Sequence, residues 1–554
     1  MFRPEYYDTD PRVRRYCVPV KVIKTFSDVA GSENLLIKRP SQIPLATPEG
    51  WESCVLKGSG AAVLVDFGCE FHGSARIYVQ YVKSPSSRAD LRIRFGESAT
   101  EAVTPVGQRG ATNDHANRDM ILNVGSWSAN ETNATGYRFL YVELTEEAEV
   151  ALYMLQGVSI FRDMPQLGSF RCDDDRINDI YDTAVYTAAL CAQEYLWDGI
   201  KRDRLIWCGD MYPSALTLTA VYGDVPVLRQ SMDMQKRITP ADKWMNGMSA
   251  YTLWWILTHE LIYLCGGDEA YLRDQADYIR TVCENVAKYI DEDGSEHLPG
   301  AFLDWPNSQN PAAIHAGQQA LLVRAMKAAA GIFDVCGRRD DADFCRALAA
   351  KAAGAKVDPN GSKQAAALMA LWGLSDPKTT DEQVLTPGGA KGYSTFLGYG
   401  TLAAKAEAGN MTGALRDMKA YWGRMLELGA TTFWEDFDLD WTENACRLDE
   451  LPPEGANDIH ADHGSYCYTG LRHSFCHAWA SGPAPFLAHY VLGIRPLARG
   501  FEKCLIAPSL GFLNRVEGTC PTPRGNIHVI AEKRADGTVK VTAEAPEGIE
   551  LIYR

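Results

Sequence analysis

Two periods divide the chain. Up to about residue 168, short runs rich in β-branched and aromatic residues recur between Gly, Ser and Asp clusters, as strands do. They lie at 20–23, 61–67, 75–82, 91–95, 137–144 and 150–160. In the run 75–82, Ile77, Val79 and Tyr81 alternate with Arg76, Tyr78 and Gln80, the period of a strand with one buried face. Residues 100–118 have few apolar positions and are expected to form a long loop. From Asp173 the period lengthens: Ile177, Ile180, Tyr181, Ala184, Ala188 and Cys191 fall at helical spacing. Similar segments follow at 212–221, 224–237, 250–264, 268–290, 313–335, 340–353, 362–373, 393–408, 411–427 and 478–492, with no solenoid repeat. After Pro496 short strands return at 503–506, 526–532, 538–543 and 549–553, separated by Gly-containing turns. The expected fold class is multidomain α+β. An N-terminal β-sandwich (1–168) precedes a helical domain (169–493) and a small C-terminal β-sandwich (494–554). About a dozen helices in the middle fit a closed (α/α)6 toroid better than a simple bundle.

A chain of 554 residues is too long for one ordinary core, so several domains are expected. Its formal charge of −16 argues against a nucleic-acid backbone or an anionic membrane as partner. No apolar stretch is long enough to span a bilayer, and the N-terminal residues lack the apolar core of a signal peptide. Fifteen cysteines without CxxC pairs suit reduced thiols in a cytoplasmic protein.

Candidate chemistry concentrates in a few stretches. Residues 197–210 place Asp198, Asp203 and Asp210 among Lys201, Arg202, Arg204, Trp197 and Trp207, between two helix-like segments. A salt-bridged corner is the plain reading of the charges. The indoles tilt it towards a sugar site, where rings cover apolar sugar faces and charged groups fix hydroxyls. Residues 429–438 repeat the theme with Trp434 beside Glu435, after a helix that Gly429 is expected to cap. Residues 473–483 hold His473, His477 and Trp479; with His460, Asp462 and His463 they invite a metal reading, but HExxH is absent and no metal is expected. Asp304 and Trp305 form another Asp-Trp pair, and Trp254 and Trp255 follow Tyr251 at a helix start. No GxSxG elbow, P-loop or dinucleotide fingerprint is present. Two carboxylates far apart in sequence, brought together among Trp and Tyr, are the glycosidase pattern.

In this order the stretches resemble the inverting α-L-rhamnosidase family of glycoside hydrolases, in its small form. The resemblance rests on Asp198, Arg202, Asp203, Arg204, Leu205, Trp207, Gly209 and Asp210. It continues through Gly429 to Glu435, then Cys476, His477, Trp479, Gly482 and Pro483, with Val491 to Pro496 as the exit into the last domain. Larger members carry Glu where this chain has Asp203, and the segment from Asp198 to Arg204 is one residue shorter than theirs. The family implies an (α/α)6 barrel flanked by β-sandwiches, an exo-acting hydrolase of terminal rhamnose, and no cofactor. It implies Asp203 as general acid, with Asp198 or Asp210 as the runner-up, and Glu435 as base. Asp198, Arg202, Trp207, Asp210, Trp254, Asp304, Trp305, Trp434, His477 and Trp479 would bind the sugar. For Asp203 to keep its proton, Arg202 and Arg204 are expected to pair with Asp198 and Asp210. The partner is then a small glycoside or oligosaccharide, not nucleic acid or membrane, with a homodimer left open. The alternatives are another exo-glycosidase or phosphorylase of the six-hairpin class, or a non-catalytic sugar-binding relative.

Overall fold

One strand, Cys54–Lys83, takes up both runs read separately at 61–67 and 75–82. The computed structural model describes residues 9–465 and 468–554. In its eight-stranded N-terminal sheet the hydrogen-bonded order is Arg12–Cys17, Glu149–Arg162, Cys54–Lys83, Thr135–Leu144, Arg88–Gly96 and Asp119–Gly125. Lys21–Ala30 and Ser128–Glu131 also pair with Cys54–Lys83. Its register against Thr135–Leu144 shifts between Asp66 and Phe71, so one continuous strand serves several partners.

Two local expectations are corrected. The polar side of 75–82 is largely covered: Tyr78 is buried with Ile43, Tyr153 and Met154, with Trp51 against them. Gln80 is buried too, bonded to Ser53 and Thr47. The segment before Cys54 therefore covers the face that alternation alone would leave to water. Nor is 100–118 all loop, because it opens inside the helix Ala99–Val103. Ser98 Oγ accepts from the Glu101 N–H (3.2 Å), and Glu101 Oε2 accepts from the Glu97 N–H (2.8 Å). This Ser-x-x-Glu arrangement starts a helix even in a polar stretch.

The helices Cys208–Tyr222, Ser249–Gly266 and Pro311–Val335 are buried nearly all round. Pro226–Ile238, Glu269–Ala287 and Arg339–Ala352, which follow them in turn, bury one face. That is the difference between helices inside a core and helices laid on it. The long helix expected at 478–492 is instead a 3-10 turn (Ala478–Ser481), one α-turn (Pro483–Phe486) and a π-turn (Leu487–Val491). Pro483 and Pro485 lack the N–H groups a regular helix would need there.

After it, Ile494–Pro496, Lys503–Ile506 and Glu550–Tyr553 form a three-stranded sheet. Val539–Glu544, Gly525–Lys533 and Arg515–Thr522 form another, completed by Ser169–Cys172. That last strand, from the junction before the first long helix, ties the two ends of the helical region together. Among the described residues no helix is long and apolar enough to cross a membrane.

Candidate active site

Three stretches distant in sequence are stitched together by backbone. The Ala478 N–H donates to the Asp198 carbonyl (2.9 Å), and Gly199 and His477 form an isolated β-bridge. The Glu435 N–H donates to the Ser474 carbonyl (3.0 Å), and the His477 N–H to the Phe433 carbonyl (2.9 Å). Gly199 has to be glycine here, because a Cβ would stand 2.5 Å from the Arg202 carbonyl oxygen and 2.8 Å from that of Cys476. Behind the stitch, Ile200, Cys476 and Ala478 are buried in the core of the N-terminal sheet.

These stretches wall a cavity of about 450 Å3. Asp198, Arg202, Asp203, Trp207, Asp210, Trp305, Glu435, His477 and Trp479 all line it. The size suits a small ligand. Three of the residues expected with them lie elsewhere. Trp434 is buried beneath, stacked on Phe475 at 4.2 Å. Asp304 is buried and accepts from the Asn307 side chain (2.6 Å). Trp254 lines a second cavity of about 370 Å3 with Trp372 and Phe396; Phe396 stacks on Trp479 at 4.7 Å.

The carboxylates are held differently from one another. Asp198 Oδ2 accepts from the Asp203 N–H (2.8 Å) and Oδ1 from the Leu205 N–H (3.1 Å), so it shapes the loop as well as facing the cavity. Burial pushes its carboxyl up to about 6. Asp210 lies in the first turn of Cys208–Tyr222, with Oδ1 2.9 Å from His477 Nε2 and Oδ2 accepting from Tyr251 Oη (3.1 Å). Burial lifts it to about 8, against the Tyr251 hydrogen bond. Glu435 is buried, its carbonyl accepting from Thr395 Oγ1 (2.6 Å) and Trp479 Nε1 (2.8 Å). Burial pushes its carboxyl up to about 7, while His477 and Arg202 pull it down.

The arginines correct the expected pairing. Arg202 Nη2 lies 2.6 Å from Asp203 Oδ1, not on Asp198 or Asp210, because those two are already turned towards backbone, His477 and Tyr251. Burial opposes the Arg202 charge, but Glu435 and Asp203 outweigh it and hold the guanidinium above its ordinary range. Arg204 donates to the carbonyls of Ala134 and His115 and so fastens the loop to the N-terminal region. Trp207 is set by Asn246, whose side chain bridges the Ile206 carbonyl (3.0 Å) and the Cys208 N–H (2.9 Å).

His460 and His473 are held by hydrogen bonds within the protein. His460 meets Ser98 Oγ (2.8 Å) and the His473 carbonyl (2.9 Å); His473 Nε2 accepts from the Asp436 N–H (2.9 Å). Glu97, Glu101 and His460 do converge, but the Lys201 ammonium lies 2.8 Å from Glu97 and 3.2 Å from Glu101, as a cation would.

The cavity also takes in His115, Asn246, Met248, Tyr251, Phe302, Tyr468 and Arg472. Sequence reasoning marked Tyr251 only as part of an aromatic helix start. His115 had no signal, since it lies in the polar stretch read as a loop.

Comparison with known proteins extends the picture. Residues 165–356 match the model of the bacterial alpha-L-rhamnosidase six-hairpin glycosidase domain, and residues 493–552 that of the bacterial alpha-L-rhamnosidase C-terminal domain. An alpha-L-rhamnosidase of Alteromonas sp. (strain LOR) is 30% identical over 118 residues, 21% of this chain and 10% of that protein. A GH78 family rhamnosidase of Bacillus sp. GL1 has the same fold (TM-score 0.74, 22% identity), over 94% of this chain and 55% of that one. So does a Klebsiella oxytoca rhamnosidase with rhamnose bound (TM-score 0.69, 21% identity, 87% and 96% covered). The matched regions thus span about half the length of the Bacillus rhamnosidase and a tenth of the Alteromonas one.

Proposed function

We propose that this chain is an exo-acting, inverting α-L-rhamnosidase that removes terminal rhamnose from small glycosides or oligosaccharides. The observation that carries the reading is the shared cavity: Asp203 and Glu435 line it together, with Trp207, Trp305 and Trp479 as apolar walls. Asp203 gives a proton to the leaving glycosidic oxygen once Arg202, 2.6 Å from its Oδ1 here, turns to a sugar hydroxyl and no longer favours the carboxylate. Glu435 takes one from the water that attacks the opposite face of the ring. A carboxyl lifted by burial to about 7 suits a base near neutral pH. Asp198, Asp210, Arg202 and His477 hold sugar hydroxyls, and the indoles meet the ring face and the C6 methyl. The rhamnosidase domains at 165–356 and 493–552 and the rhamnose-bound Klebsiella relative support rhamnose as the sugar.

The alternation of buried and one-faced helices supports a closed (α/α)6 toroid over 169–493, between β-sandwiches at 1–168 and 494–554. Fifteen scattered cysteines support a cytoplasmic setting. An aryl α-L-rhamnoside assayed beside aryl glycosides of other sugars tests the assignment. The rhamnoside is expected to have the highest kcat/KM. Preference for another sugar would overturn rhamnose, and turnover only with inorganic phosphate would make the chain a phosphorylase.

A further inference from the structure

We infer that His115 is a positioning residue that holds Asp203 and supplies the proton Asp203 delivers; this rests on the reading of Asp203 as acid. His115 Nε2 lies 3.1 Å from Asp203 Oδ1, the same oxygen that meets Arg202 Nη2 at 2.6 Å. A guanidinium does not give up a proton, whereas an imidazolium does. Of the two groups on this oxygen, His115 is therefore the one able to reload it.

Among the described residues, Asp114, Arg202 and Arg204 near His115 each have another partner. Asp114 Oδ2 lies 3.9 Å from its Nε2 but is bonded to Arg472 Nε at 2.8 Å. Arg204 donates to the His115 carbonyl, and Arg202 is on Asp203. Its side chain is 28% exposed, so the imidazole is open to solvent while its Nε2 reaches Asp203. Its backbone stands at φ 63°, a region in which His is among the enriched residues. Asn113 Oδ1 fixes the loop by accepting from the Arg118 and Asp119 N–H groups (2.9 and 3.0 Å).

Protons balance over one turnover. The Asp203 carboxylic acid protonates the glycosidic oxygen as its bond to the sugar breaks. The carboxylate left behind takes a proton from the His115 imidazolium at Nε2. The neutral imidazole recovers a proton from solvent, and Glu435 returns to solvent the one it took from the attacking water. His115 stands before residue 165, where the six-hairpin match begins, so the N-terminal region completes the site.

The test compares H115Q and H115A with wild type on an alkyl glycoside, a poor leaving group, and on an aryl glycoside with an acidic phenol. Loss of about 10–100-fold is expected on the alkyl substrate, the range of one charge-assisted hydrogen bond, with little change on the aryl one. Adding H115Q to D203N should cost nothing further, and free imidazole should partly restore H115A. Equal loss on both substrates, or full alkyl activity in H115Q, would overturn the role while leaving the glycosidase reading intact. A wild-type chain that cleaves neither substrate would overturn both.

Discussion

The Lys201 ammonium lies 2.8 Å from Glu97 Oε2, joining the loop that carries Asp203 to the end of the N-terminal sheet. Lys201 is buried, and it also donates to the carbonyls of Leu471 (3.2 Å) and His473 (2.7 Å). Replacing it by Met takes the cation from buried Glu97, while Glu101 keeps Arg118 Nε at 3.6 Å; removing one partner of a buried ion pair costs about 3–5 kcal/mol. Urea unfolding of Lys201→Met should show a drop of this size. An unchanged midpoint would mean that the two regions are not energetically joined here.

Gly209 faces the Tyr251 ring so closely that a Cβ would stand 2.2 Å from Cε1. Gly209→Ala should therefore push Tyr251 off Asp210. The expected result is a raised KM for the sugar, by about tenfold for one lost hydrogen bond to a charged or polar partner, with a modest fall in stability. Unaltered KM would show that Tyr251 does not position Asp210 for the substrate.

The pH profile follows from Glu435, which must be ionised to act as a base. With burial lifting it to about 7, kcat/KM on a substrate with an acidic phenol should fall as the pH drops below about 7. Such a substrate needs no acid, so Asp203 does not contribute to the limb. Arg202 pulls Glu435 down, so Arg202→Gln should move the limb to higher pH. A flat profile to pH 5 would remove Glu435 as base.

Asp203→Asn should slow poor leaving groups far more than activated phenols, and Glu435→Gln should slow both alike. Each loss should fall in the range of about 10²–10⁴-fold typical of general acid–base groups. If Asp198→Asn or Asp210→Asn shows the leaving-group dependence and Asp203→Asn does not, the acid is one of those two.

The helical and strand periods were legible because burial imposes them: the sequence places the strand 503–506 and the helix 411–427 at the bounds observed. The three charged and aromatic stretches were legible as candidates because carboxylates among indoles need a reason, and the fold brings them to one cavity. What was not legible came from outside the local pattern. Tyr78 is buried by residues some thirty positions away, and Pro483 and Pro485 break a run whose apolar spacing is otherwise helical. Arg202 turns to Asp203 because Asp198 is occupied by backbone N–H groups, which no spacing reveals. His115 enters the site from the N-terminal region, across a distance in sequence that only the fold closes.

The stereochemistry of release tests the central claim most directly. Proton NMR of the sugar freshly released from an aryl α-L-rhamnoside should show the β-anomer first, because water arrives opposite the leaving group, activated by Glu435. An α-anomer appearing first would mean a covalent intermediate and contradict the assignment of Asp203 and Glu435 as acid and base of a single displacement.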